Sequence, residues 1–129
     1  MKAKFAGIQY LGDSDVTQIC KEAVIQLIHA GEDINDVKIL TFEQAYSNAH
    51  ALLLTLRYDI QVIIKGGFAS GYSGEGPKGY AFVLNLLRNY TDSINEYIIS
   101  KSIFESVSNS SLTVKDIEYI NSIKPVRPA

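Results

Sequence analysis

Six of the nine glycines in this 129-residue chain fall between Gly66 and Gly79. The segment reads KGGFASGYSGEGPKGY from Lys65 to Tyr80. Glycine pays the largest conformational entropy on folding and lacks a Cβ, so such a density marks a turn or a close backbone approach. The residues before it, Ile60 to Lys65 (IQVIIK), are apolar and β-branched and predict a strand. Those after it, Gly79 to Tyr90, predict a helix with Phe82, Val83, Leu86 and Leu87 on one face, and Pro77 fits a first-turn proline.

A strand, a glycine loop and a helix N-terminus in that order leave free backbone N–H groups at a partly positive helix end, a place suited to phosphate. Ser70 and Ser73 add hydroxyls, Lys78 a cation, and Phe68, Tyr72 and Tyr80 aromatic faces for stacking a base. The spacing of Gly71, Gly74, Gly76 and Gly79 matches neither the P-loop nor the dinucleotide fingerprint. Glu75 would repel a phosphate placed on it and more naturally accepts hydrogen bonds from ribose hydroxyls or a base amino group. The other reading of the segment is a complicated turn whose glycines only relieve strain.

Charge narrows the ligand. Formal net charge is -2 and the pI about 5.6, so no global basic field exists to hold a long nucleic acid. The 47% hydrophobic and 20% charged composition excludes a disordered chain. The length fits one domain. Cys20 has no partner for a disulfide, and His29 and His50 lie on separate segments, so no metal site and no cofactor are expected. Met1 to Ile8 carries Lys2 and Lys4 without an apolar stretch behind them, and no run approaches a membrane span, so a soluble, intracellular protein is expected.

Elsewhere, Lys4 to Leu11 has strand character, closed by Gly12. Asp13, Ser14 and Asp15 are candidate N-caps, with Gln18 placed for a capping box, for a helix whose stripe is Val16, Ile19, Cys20, Ala23, Val24, Leu27 and Ile28. Gly31 suits its left-handed end. Glu32 to Asp36 is expected to be an acidic loop and Val37 to Phe42 a strand. From Thr41 to Leu56 a helix is compatible with the spacing of Tyr46, Ala49, Leu52, Leu53 and Leu56. A hairpin of Ala51 to Arg57 and Ile60 to Lys65, joined at Tyr58-Asp59, is preferred. Ile94 to Ser100 reads as a strand, Ile103 to Val107 as a helical turn, and Thr113 with Asp116 caps a last helix that Pro125 forbids from continuing. The expected fold class is α/β or α+β, a small single domain (1–129) with an antiparallel-containing sheet packed against helices.

Arg57, Lys65 and Arg88 make the middle of the chain locally basic, and Arg57 is a candidate phosphate contact. Arg127, held between Pro125 and Pro128, is a candidate to reach a neighbouring subunit. Cys20 on the core stripe reads as inert, His29 as a helix-end residue, and His50 as unassigned. No catalytic set is evident; Glu75 alone is a candidate base for a nucleotide hydrolase or lyase. A binder fits better than an enzyme, with a protein-interaction module as a third reading.

The runs GGFASGYSGEGPKGYAFVLNLL and LTVKDIEYINSIKPVRP resemble the phage-encoded Thoeris anti-defence proteins of the first type, over about a third of the chain. The resemblance implies a sponge in the cytoplasm of an infected bacterial host. Such proteins sequester the cyclic ADP-ribose isomers made by TIR-domain immune proteins and do not cleave them. It also implies a homo-oligomer, a hexamer built from dimers, with a pocket where subunits meet. Phe68, Ser70, Gly71, Tyr72, Gly74, Gly76, Lys78 and Phe82 are the contact region the resemblance points to.

Overall fold

Two long strands, β2 (Ile34–Glu43) and β3 (Asn48–Leu56), hold the middle of the molecule because their residues are apolar towards both sides. Leu52, Leu54 and Leu56 of β3 face one layer of helices, and Ala51 and Leu53 face the other; all are buried. A strand covered on both faces reads as an unbroken apolar run, which is why the same residues also fit a helical spacing. The preferred hairpin forms. β3 pairs antiparallel with β4 (Gln61–Ser70) through the turn Arg57–Asp59.

The structure, a computed structural model, describes residues 4–128; Met1 to Ala3, part of the expected leaderless N-terminus, lie outside them. The remaining elements are β1 (Gln9–Leu11), α1 (Thr17–His29), α2 (Glu75–Leu87), β5 (Ile94–Ile98), α3 (Lys101–Ser108), α4 (Val114–Ser122) and β6 (Arg127–Pro128). They build one six-stranded mixed sheet of order β1-β4-β3-β2-β5-β6, with four helices, an α+β fold. β1 joins β4 and β5 joins β2 in parallel, and the other pairs are antiparallel.

Each sheet face has its own core. α1 and α2 bury Cys20, Val24, Val83 and Leu87 against Val37, Ile39, Leu52, Leu54, Val62 and Ile64. α3 and α4 bury Val107 and Ile120 against Leu40, Leu53, Ile63 and Tyr97. No helix among the described residues is long and apolar enough to cross a membrane.

Several boundaries differ from expectation for local reasons. Only Gln9–Leu11 of the expected first strand joins the sheet, because Phe5 bridges Thr113 and the Ala6 N–H donates to the Leu112 carbonyl. The Asp13–Asp15 caps do not form: the N-cap is Val16, and the Asp13 carboxylate instead accepts from the Asp15 N–H. Gly31 takes its expected left-handed conformation at φ 79°. Ile34 to Asp36 leave the expected loop and open β2, because the buried Ile34 stands opposite Leu56 and Asp36 pairs with Thr55. Thr113 and Asp116 form the expected capping box of α4.

The largest displacement of boundaries is in the glycine segment. β4 runs on to Ser70, so Gly66 and Gly67 are strand residues, and α2 starts at Glu75, so Gly76 and Gly79 are helical. In the β3–β4 register Ala51 alone stands opposite Lys65, Gly66 and Gly67, a bulge. A Cβ at Gly66 would overlap the Phe104 ring, and one at Gly67 would lie 2.8 Å from both the Asp13 carbonyl and Cys20 Sγ. Gly79 lies against Thr17, so its missing Cβ lets α2 approach α1.

Candidate functional site

What remains of the loop is Gly71 to Gly74, at one end of the sheet. Gly71 turns the chain at φ 94°, tucked against the backbone of the Tyr46–Ser47 turn between β2 and β3. That contact sets two exposed tyrosines, Tyr46 and Tyr72, on neighbouring loops. Gly74 is the N-cap of α2 and supplies no side-chain cap. The N–H groups of Glu75 and Gly76 open the helix, and Pro77 has none to offer. Gly76 is buried, with its α-carbon face against Ala69 and the Tyr72 hydroxyl, each within 2.9 Å of where a Cβ would stand. Tyr72 therefore lies over the start of the helix. Glu75 and Lys78 are exposed beside it.

The anticipated contact residues separate accordingly. Ser70, Gly71, Tyr72, Gly74, Glu75, Gly76 and Lys78 gather at this one end. Phe68 is 1% exposed and belongs to the core, where no base reaches its ring. Phe82 is exposed two turns along α2, with the Lys21 ammonium 4.2 Å above its ring centre. Arg57 lies at the opposite end of β4, about 30 Å away at strand rise, and pairs with Asp33. Arg88 caps the far end of α2 beside Asn85. Arg127 is drawn into the sheet edge: its Nε–H donates to Glu96 Oε1 at 2.6 Å.

That ion pair opens a row of polar side chains crossing the sheet beneath α2, one from each of β6, β5, β2, β3 and β4. Thr41 Oγ1 donates to Glu96 Oε2 at 2.6 Å. His50 Nδ1 lies 2.9 Å from Thr41 Oγ1, and His50 Nε2 lies 2.7 Å from Ser70 Oγ. The Tyr80 ring stacks on the His50 imidazole at 4.0 Å between centres, with 2° between planes. Thr41, His50 and Glu96 are buried, at 0%, 2% and 7% exposure.

Burial pushes the His50 imidazole down to about 4, against the weaker upward pull of Glu96, so it is neutral at pH 7. Burial by itself would raise the Glu96 carboxyl, yet the hydrogen bonds from Thr41 and Arg127 and the Arg127 charge hold it below its ordinary value. Burial, reinforced by the Glu96 charge, raises the Tyr80 phenol.

Sequence reading missed Thr41, Glu96 and Tyr46 and left His50 unassigned. One signal was available: Glu96 alternates in phase with the buried Ile94 of β5, and an inward carboxylate requires partners.

A cavity of about 380 Å³ lies elsewhere, between β1 and α1, lined by Leu11, Ile19, Glu22, Gln26 and their neighbours.

No family model and no curated protein matches the chain. One solved structure that matches is a chain of respiratory complex I from Thermus thermophilus, at a TM-score of 0.70 and 16% identity. The match covers 93% of this chain and 96% of that one, and it is a likeness of fold.

Proposed function

We propose that this protein binds a small phosphate-bearing nucleotide of the cyclic ADP-ribose class at the start of α2 and holds it without cleaving it. The observation that carries the reading is the uncapped α2 N-terminus, with Glu75 and Gly76 N–H groups at its head and the Tyr72 ring packed against Gly74 and Gly76 beside them. The diphosphate takes these N–H groups and the Lys78 ammonium. Adenine stacks on Tyr72, with Tyr46 on the adjoining loop, and ribose hydroxyls donate to Glu75. Glu75 is exposed and no described side chain orients it, which favours capture over hydrolysis. One loop encloses little of such a ligand, which favours a site completed across a homo-oligomer interface. With the resemblance to the Thoeris anti-defence proteins, the reading is a phage sponge acting on an immune signal in the host cytoplasm.

The test is native mass spectrometry with cyclic ADP-ribose, followed by denaturation. Recovery of the intact cyclic nucleotide is expected; a linear or hydrolysed product would overturn capture in favour of an enzyme. Lys78→Glu is expected to weaken binding about tenfold, the loss of one charge-assisted contact. Gly76→Val is expected to abolish it by displacing Tyr72. Wild-type affinity in Lys78→Glu would show that the phosphate does not lie at this helix end.

A second reading, a protein-interaction module, draws on the whole-length likeness to a chain of a respiratory complex. Absence of any nucleotide mass shift would favour it.

A further inference from the structure

Each hydrogen bond in the row beneath α2 has one possible direction. Arg127 only donates, and the Glu96 carboxylate only accepts, from Arg127 Nε–H and from Thr41 Oγ1–H. Thr41 has then spent its single proton, so its oxygen accepts from His50 Nδ1–H. A neutral imidazole carries one N–H, which leaves Nε2 a bare acceptor, and the atom beside it is Ser70 Oγ at 2.7 Å. Ser70 must donate there. With that proton committed, the hydroxyl of half-buried Ser70, the last residue of β4, has only lone pairs left to offer a ligand.

We infer that Ser70 is a specificity-determining contact, fixed by Thr41, His50 and Glu96 as an acceptor for a ligand hydroxyl or amino group and closed to a ligand oxyanion. The inference rests on the proposed docking at the glycine loop and divides the ligand. Phosphate belongs at the Glu75 and Gly76 N–H groups, and a ribose hydroxyl or base amino group belongs over Ser70. Thr41 and Glu96 touch no ligand and act as positioning residues, because they set which imidazole nitrogen carries the proton.

Two measurements test this. Nitrogen-15 NMR of the His50 ring at pH 7 is expected to show protonated Nδ1 and bare Nε2. In Thr41→Val the two forms are expected to mix, a change that loosened packing alone would not produce. An Nε2–H tautomer in the wild type overturns the inference.

Calorimetry with cyclic ADP-ribose and with inorganic pyrophosphate supplies the second test. In Ser70→Ala the preference for the nucleotide over pyrophosphate is expected to fall about tenfold, the size of one lost hydrogen bond. Ser70→Thr, which keeps the hydroxyl, is expected to restore it. An unchanged preference in Ser70→Ala overturns this inference alone; failure of wild-type protein to bind cyclic ADP-ribose overturns the proposed function and this inference with it.

Discussion

His50 is held neutral in the fold by burial at about 4, against an ordinary value of 6.5. The unfolded chain therefore binds the extra proton first as pH falls. Stability from this residue is complete above pH 6.5, is lost progressively between 6.5 and 4, and is constant below. The shift corresponds to on the order of 3 kcal/mol. Glu96, whose carboxyl is held low, adds a loss of the same sign at lower pH. Urea midpoints are expected to fall from pH 7.5 to pH 4.5, and His50→Gln is expected to flatten that dependence above pH 5. An equal slope in the variant would place the titrating group elsewhere. At this scale the site was half legible: Ser70, Tyr72 and Lys78 announce themselves in the glycine segment. Thr41, His50 and Glu96 do not, because their partnership spans 55 residues and exists only once β5 lies beside β2.

Helix and strand boundaries were legible where a local device sets them and illegible where packing does. The Thr113–Asp116 capping box is entirely local, and both halves form. Thr113→Ala is expected to cost about 1 kcal/mol, measured by thermal unfolding. α2 is the contrary case. Its start at Glu75 rather than Gly79 depends on glycines packed against Ala69 and Thr17, contacts that no spacing reveals. Gly79→Ala is expected to destabilise. The clash with Thr17, about 1–3 kcal/mol, outweighs the roughly 1 kcal/mol that alanine gains over glycine inside a helix. The double change Thr17→Ser with Gly79→Ala is expected to recover part of that loss, by removing the methyl group in the way. Gly66 and Gly67 are bound up with helix packing in the same manner. Much of the glycine cluster thus serves the approach of helices to the sheet, and the loop that could meet a ligand is the four residues Gly71 to Gly74.

For the molecule as a whole, a mixed sheet with helices on both faces was within reach of the sequence, and its strand order was not. The parallel pairings of β1 with β4 and β5 with β2 join distant segments that hydrophobic pattern alone cannot match. Protection against amide exchange is expected to follow that order. β2, β3 and β4, paired on both sides and covered on both faces, should exchange slowest. β1 and β6, of three and two residues at the edges, should exchange fastest. Equal protection across the sheet would refute this. One side chain offers a clock for the same process. Cys20 is fully buried, its Sγ lies 3.1 Å from the Asp13 carbonyl and 3.3 Å from the Lys65 carbonyl, and burial raises its thiol. A disulfide reagent reaches that sulfur only when α1 lifts from the bulge in β4. As the chain's sole thiol, Cys20 makes the labelling rate a readout of opening along that seam, its frequency at high reagent and its equilibrium at low reagent.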